Sequence, residues 1–204
     1  INKYLEFIKQ DKLKLRFIKV QQKNFLENVI SNADYKFLKS SLLNDGYKDW
    51  YFIVWFMTAT GSRVSELLQI KAEHVQIGHL DLYTKGGKMR RIYIPKTLQK
   101  EALQWLQERQ LSTGYIFLNR FGERITTRGI AMQLKHFADK YGLKREVVYP
   151  HSFRHRYAKN FLDRFNDIAL LADLMGHESI ETTRIYLRRT ASEQRQIVDK
   201  IVNW

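Results

Sequence analysis

The chain has 204 residues, room for one large domain with a substantial core or for a smaller domain with an extension. Lys and Arg number 35 against 21 Asp and Glu, a formal charge of +14 that favours a polyanionic partner, because each phosphate neutralised releases condensed counterions. Cysteine is absent, which excludes disulfides, thiolate metal sites and cysteine catalysis, and the longest apolar run, 50–57, is far short of the roughly 18 residues a membrane-spanning helix needs.

No secretory segment is visible, so the expectation is a soluble, intracellular protein. Residues 1–30 carry seven Lys or Arg against three acids and read as a basic connector or as the remnant of a preceding domain, one that would bind DNA. The chain opens on Ile1 and is read as a piece of something longer; 31–204 is expected to form one catalytic domain with a helical C-terminal tail. Ser31 or Asn32 caps a helix over 33–44, which Asp45-Gly46 ends. A helix over 50–60, apolar on most sides, suits a central position; Gly61 punctuates it and a shorter helix follows over 62–70.

The period then changes. Residues 79–84 and 89–94 alternate around Lys85-Gly86-Gly87-Lys88, the pattern of two short antiparallel strands joined by a glycine turn. Pro95 stops the second strand, helical spacing resumes over 98–109, and 115–118 forms a short extended piece. Thr126 or Thr127 caps a helix to about Lys140. After Pro150 the chain is helical almost to its end, with breaks near Phe165-Asn166, Gly176 and Thr190. The fold class is therefore mainly α with a small antiparallel β-sheet (α+β).

Four short segments carry chemistry. Arg63 and Glu66 stand three apart at the start of a helix, where the arginine can fork two donors onto phosphate oxygens while the glutamate aligns its neighbours. His151 and Arg154 repeat that spacing behind Pro150, presenting an imidazole and a guanidinium on one face. Gly176 can end one helix and Ser179 open the next, which lets His177 and Tyr186 converge, with Tyr186 about two turns along the second helix. Lys85 sits at the hairpin tip with Lys88, Arg90 and Arg91 behind it, a cluster suited to the DNA backbone. Taken singly, each has an ordinary explanation as a surface ion pair, a satisfied histidine, a packed tyrosine or a solvated turn.

In order, these segments resemble the catalytic domain of the tyrosine recombinases, the phage-integrase family. Its arginine segment is matched by Ala59-Thr60-Gly61-Ser62-Arg63-Val64-Ser65-Glu66-Leu67, its hairpin lysine by Thr84-Lys85-Gly86, and its H-x-L-R by His151-Ser152-Phe153-Arg154. Gly176-His177 and Thr183-Arg184-Ile185-Tyr186 complete the set, and the likeness covers roughly 31–190. Phe153 replaces a usual leucine, and so does Met175 before Gly-His. The resemblance implies that Tyr186 attacks a DNA phosphate to leave a 3′-phosphotyrosyl bond, with His151 the expected proton acceptor. Arg63 and Arg154 would bind the non-bridging oxygens, His177 would add a donor, Lys85 would protonate the leaving 5′-oxygen and Glu66 would orient the site. No metal, ATP or other cofactor is expected.

Arg128, opening the helix that lies in the major groove in this family, would contact DNA together with Lys88 and Arg90. The expected partner is double-stranded DNA, bound as a homo-tetramer by a chain that is a monomer without it, in a prokaryotic cytoplasm at the nucleoid. The apolar stripe Ile197, Val198, Ile201, Val202 and Trp204 either packs on its own domain or docks into a neighbouring subunit. Family members normally carry an N-terminal domain that closes a clamp on the duplex, so this piece alone is expected to bind DNA weakly and recombine poorly. The role read first is integration of a mobile element. The rivals are type IB topoisomerase-like nicking and closing, a non-catalytic DNA-binding regulator, and a metal-dependent nuclease, for which no acidic cluster is visible.

Overall fold

The computed structural model describes residues 28–83 and 89–187, together with 6, 7, 9, 10, 12 and 199. Most of the basic connector, the hairpin tip with Lys85 and Lys88, and the apolar stripe of the tail lie outside the described residues. Ser31 starts α1, Asn32–Asn44, by accepting a hydrogen bond from the Asp34 backbone N–H (3.0 Å). Helix α2, Lys48–Thr60, buries Tyr51, Phe52, Ile53, Val54, Phe56 and Met57, and so becomes the centre around which the rest packs. Gly61 ends it in the left-handed region (φ 61°); a methyl there would meet the Tyr157 ring at 2.4 Å, so both backbone angle and space require glycine.

The helix expected over 62–70 is a single turn, α3, Val64–Leu67. Its continuation is prevented by a competing use of the backbone: the Ile70 carbonyl accepts from the Ile116 N–H (3.3 Å), and the Ala72 N–H donates to the Gly114 carbonyl (2.9 Å). A short helix absent from the sequence reading, α4, Ala72–Ile77, follows. Strands β1, His79–Tyr83, and β2, Met89–Tyr93, pair antiparallel with His79 opposite Tyr93 and Leu80 opposite Ile92. Alternation along β2 turns Arg90 and Ile92 inward and leaves Met89, Arg91 and Tyr93 outside.

Helix α5, Lys96–Glu108, sets Trp105 on Phe52, ring centroids 4.4 Å apart. The extended piece near 115–118 is limited to two isolated bridges, Lys71 with Tyr115 and Leu118 with Arg124. Thr126 caps α6, Thr127–Lys140, through the Gly129 N–H (3.0 Å), and Ile130, Leu134, Phe137 and Ala138 form its buried face. Helix α7, Pro150–Phe165, begins on proline, whose missing N–H costs nothing in a first turn. Asp167 caps α8, Ile168–Met175, and Ser179 caps α9, Ile180–Arg184. A 3₁₀ turn, Ile185–Leu187, then carries Tyr186, where the sequence had suggested a continuous helix.

One hydrophobic cluster runs from Ile30 to Phe153 and takes in α1 to α6, the sheet and the start of α7. A second, much smaller one joins Ala158 and Leu162 of α7 to Leu171 and Met175 of α8, with Tyr157, Phe161, Ile168 and Tyr186 packed against it.

Candidate active site

Helix α7 supplies two working faces. His151, Arg154 and His155 fall at i, i+3 and i+4 and point toward the C-terminal segment; Ser152 and Arg156 hold the start of the core. The Ser152 hydroxyl accepts from the Ile30 N–H (2.8 Å), while Arg156 donates to the Ile30 carbonyl (3.3 Å) and to Asn32 Oδ1 (2.5 Å).

Three arginines converge on the end of α8. Arg90 donates to the Leu174 carbonyl (2.8 Å), Arg154 to the Met175 carbonyl (2.8 Å) and Arg63 to the Gly176 carbonyl (3.0 Å). Carbonyls at a helix C-terminus have no intrahelical partners and carry the negative end of the helix dipole, so they suit guanidinium groups. Arg154 also donates to the Gly61 carbonyl (2.6 Å), which ties α2 to α7 beside Arg63. Gly176 is in the left-handed region (φ 62°), and a methyl on it would stand 2.3 Å from Arg90 Cδ.

Glu66 is the counter-charge. Its Oε1 accepts from Arg63 (2.7 Å) and Arg90 (2.6 Å), and its Oε2 from the Arg63 backbone N–H (2.7 Å). Burial alone would raise the Glu66 pKa, but the Arg90 charge and the hydrogen bonds from Arg63 and Arg90 outweigh it and keep the carboxylate ionised. Arg90, expected on the DNA-facing surface, is thereby corrected: its side chain is 4% exposed and turned onto Glu66 and α8. The cue was present in the sequence, because Arg90 shares its strand face with Ile92.

His177 has a definable protonation state. Its Nε2 lies 3.0 Å from Arg154 Nη2, and arginine can only donate, so Nε2 accepts. The proton therefore sits on Nδ1 and is donated to the Thr183 hydroxyl (2.7 Å), which is fully buried. Burial, with Arg154, Arg63 and Arg90 close by, lowers the His177 pKa to about 4, in agreement with a neutral ring.

Tyr186 meets a residue absent from the sequence reading. Its hydroxyl is 2.8 Å from His155 Nδ1, and the two rings are 5.5 Å apart at a tilt of 52°. Burial pushes the Tyr186 pKa up to about 12 against the pull of Arg154 and Arg63, so the phenol keeps its proton and donates it in the hydrogen bond. Burial, with His151 and Arg154 adjoining, lowers His155 to about 4. His151 stacks on His155 at 6.0 Å and is itself lowered by burial, Arg154 and Arg63. The position of His155, four residues after His151 on one helix face, was the available signal.

Arg63, Glu66, His151, Arg154, His177 and Tyr186 are thus brought together; Lys85 and Lys88 lie outside the described residues, and Arg128 stands exposed at the start of α6. Arg63 and His177 also line a cleft of about 750 Å³ that runs between β2 and α8 past Arg91, Tyr93, Asp173 and Thr182. Among the described residues, no group of three or more His, Asp or Glu is arranged to hold a metal ion.

The sequence matches the model of the phage integrase family over residues 26–193. The chain belongs to the phage integrase family. Within it, the chain is 36% identical over 154 residues to the tyrosine recombinase XerA of Pyrococcus furiosus, covering 72% of this chain and 53% of that protein. It is 33% identical over 141 residues to XerD of Listeria innocua, covering 65% and 47%. The chain spans about half the length of the curated relatives it matches. Among solved phage-integrase-family structures, XerA recombinase superposes with a TM-score of 0.72 at 23% identity, over 97% of this chain and 72% of the other. The Tn1549 transposon integrase, in complex with transposon right end DNA, superposes with a TM-score of 0.68 at 16% identity, over 90% and 68%. XerH bound to palindromic difH substrate in a post-cleavage complex does so with 0.68 at 24%, over 91% and 56%. These likenesses show that the mostly helical fold with its two-stranded sheet is that of tyrosine recombinases. Among the described residues, no helix is long and apolar enough to cross a membrane.

Proposed function

We propose that this chain is the strand-transferring part of a site-specific DNA recombinase. Residues 31–204 are its catalytic domain and tail, and 1–30 are a basic connector. Tyr186 attacks the scissile phosphate; Arg63 and Arg154 bind the non-bridging oxygens, His177 adds polar support, and Glu66 fixes Arg63 in place. Lys85 protonates the departing 5′-oxygen. Arg128 and Lys88 hold the duplex nearby.

The observation that carries this reading is the placement of the Tyr186 hydroxyl, which is half-buried, hydrogen-bonded to His155 and within the electrostatic influence of Arg154 and Arg63. Charge that develops on a phosphate attacked there is met by cations already fixed in position, the largest single contribution to such chemistry. Because the phosphotyrosyl bond conserves the energy of the phosphodiester, exchange between strands needs no nucleotide hydrolysis. A topoisomerase-like reading shares the first half of the reaction and differs only in which 5′-hydroxyl returns.

Double-stranded DNA is the substrate, with a tetramer assembling on it from monomers, at the nucleoid of a prokaryotic cytoplasm. The transposon integrase among the fold relatives supports service to a mobile element. Nicked suicide duplexes tiled from the DNA flanking the gene provide the test. The wild-type protein is expected to form covalent adducts that Tyr186→Phe abolishes while its non-covalent binding stays within about threefold. Equal adduct yield from the Phe variant would defeat the assignment, and ligation of adducts only to their own strand would select the topoisomerase reading.

A further inference from the structure

The structure assigns Ser152 and Arg156 as positioning residues that lock the chain entering at Ile30 onto α7 and thereby set where His151 and Arg154 stand in the site. This rests on the recombinase reading above and goes beyond it, since neither residue belongs to the set that meets the phosphate.

Ile30 is 1% exposed and lies ahead of α1, so neither its N–H nor its carbonyl takes part in helix bonding. Both are met by α7 side chains: the Ser152 hydroxyl accepts from the N–H (2.8 Å), and Arg156 donates to the carbonyl (3.3 Å). Arg156 also donates to Asn32 Oδ1 and stands 4.9 Å over the Tyr35 ring, so it grips the first turn of α1 as well. A buried backbone group without a partner costs as much as a lost hydrogen bond, and Ser152 and Arg156 are themselves buried, which leaves water little chance to replace them. The entering chain is therefore fastened to α7.

Helix geometry carries the effect to the site. At about 100° per residue, Ser152 and Arg156 lie about 40° apart on one face of α7, and His151 and Arg154 occupy the face beside it. A helix with its side chains has a radius of about 5–6 Å, so a roll of about 10° displaces a side-chain head by about 1 Å. A misplacement of about 1 Å can cost on the order of 10²-fold in rate. Arg154 restrains that roll from two other directions, through the Gly61 and Met175 carbonyls (2.6 and 2.8 Å). The Ile30 anchor supplies a further restraint, and its loss should give part of that penalty.

Single-turnover adduct formation on the nicked suicide duplex, followed over a range of DNA concentrations below the onset of each variant's thermal melt, provides the test. Ser152→Ala and Arg156→Met are each expected to lower the maximal rate by about tenfold, while the DNA concentration giving half that rate moves less than about threefold. Arg156→Lys keeps a donor for the Ile30 carbonyl and should recover most of the rate. Because both side chains hold one residue, the double variant should be slower than either single variant by less than about threefold. Asn32→Ala, at an exposed position, loosens Arg156 and should slow the maximal rate by about threefold, which keeps the test decisive if Ser152→Ala fails to fold. Wild-type maximal rates in the folded variants, a loss confined to DNA affinity, or fully multiplicative losses in the double variant would overturn the proposal. Absence of adducts from the wild-type protein itself would instead overturn the recombinase reading.

Discussion

The two hydrophobic clusters divide the candidate site unevenly. Arg63, Glu66 and the beginning of α7 stand on the large cluster, in which Phe56, Phe117, Phe137 and Phe153 are almost completely buried. Tyr186 stands on the small one, built on Ala158, Leu162, Leu171 and Met175. Local stability follows buried apolar contact, so the phosphate-binding half should be rigid while the nucleophile-bearing segment opens at lower free energy. A fixed anion site with a separately adjustable nucleophile suits a reaction in which the phenol must both reach phosphorus and leave it.

The heaviest blow to this division is Phe56→Ala, expected to cost about 3–5 kcal/mol through the cavity it leaves and to lower the melting temperature of the whole domain. Leu171→Ala, in the small cluster, should cost about 2–3 kcal/mol and appear mainly as faster amide exchange across 168–187. If it instead unfolds the domain in one step with unchanged local exchange, the two halves are a single cooperative unit. Gly176→Ala comes next, at about 1–3 kcal/mol for the left-handed backbone and overpacking against Arg90. Its adduct formation should fall with it, because the carbonyl that holds Arg63 moves.

Thr183→Val removes the acceptor for His177 Nδ1–H and is expected to cost about 1–2 kcal/mol. Adduct formation should slow while DNA affinity holds, and Thr183→Ser should recover most of the rate. A separate test is the pH dependence of stability. His155 and His177 titrate near 4 when folded, against about 6.5 in an unfolded chain. Between those values the unfolded state binds protons that the folded state refuses, so stability falls as pH drops through the window. Thermal melts from pH 7 to 4 should show that slope, and His177→Asn should flatten it.

What could be read from the sequence was local. Ser31, Thr126 and Ser179 announce helix starts because a cap needs only its next few residues, and all three act as caps. The β1–β2 pairing followed from a change in hydrophobic period. The length of α3 was not readable, because its end is set by backbone pairing of Ile70 and Ala72 with a distant segment. Neither was the role of Thr183, which depends on where the turn after Gly176 sends His177. Arg90 and His155 are intermediate cases: strand alternation and helical spacing assign each a face, but basic residues near a hairpin and a histidine beside an arginine invite a surface reading instead.

The arrangement at the end of α8 also governs how this domain can change in length. Leu174, Met175 and Gly176 give successive carbonyls to Arg90, Arg154 and Arg63. Since an α-helix turns about 100° per residue, one inserted or deleted position within 168–175 would swing all three acceptors away from their guanidinium groups at once. Helix α8 should therefore keep its residue count even where its side chains vary.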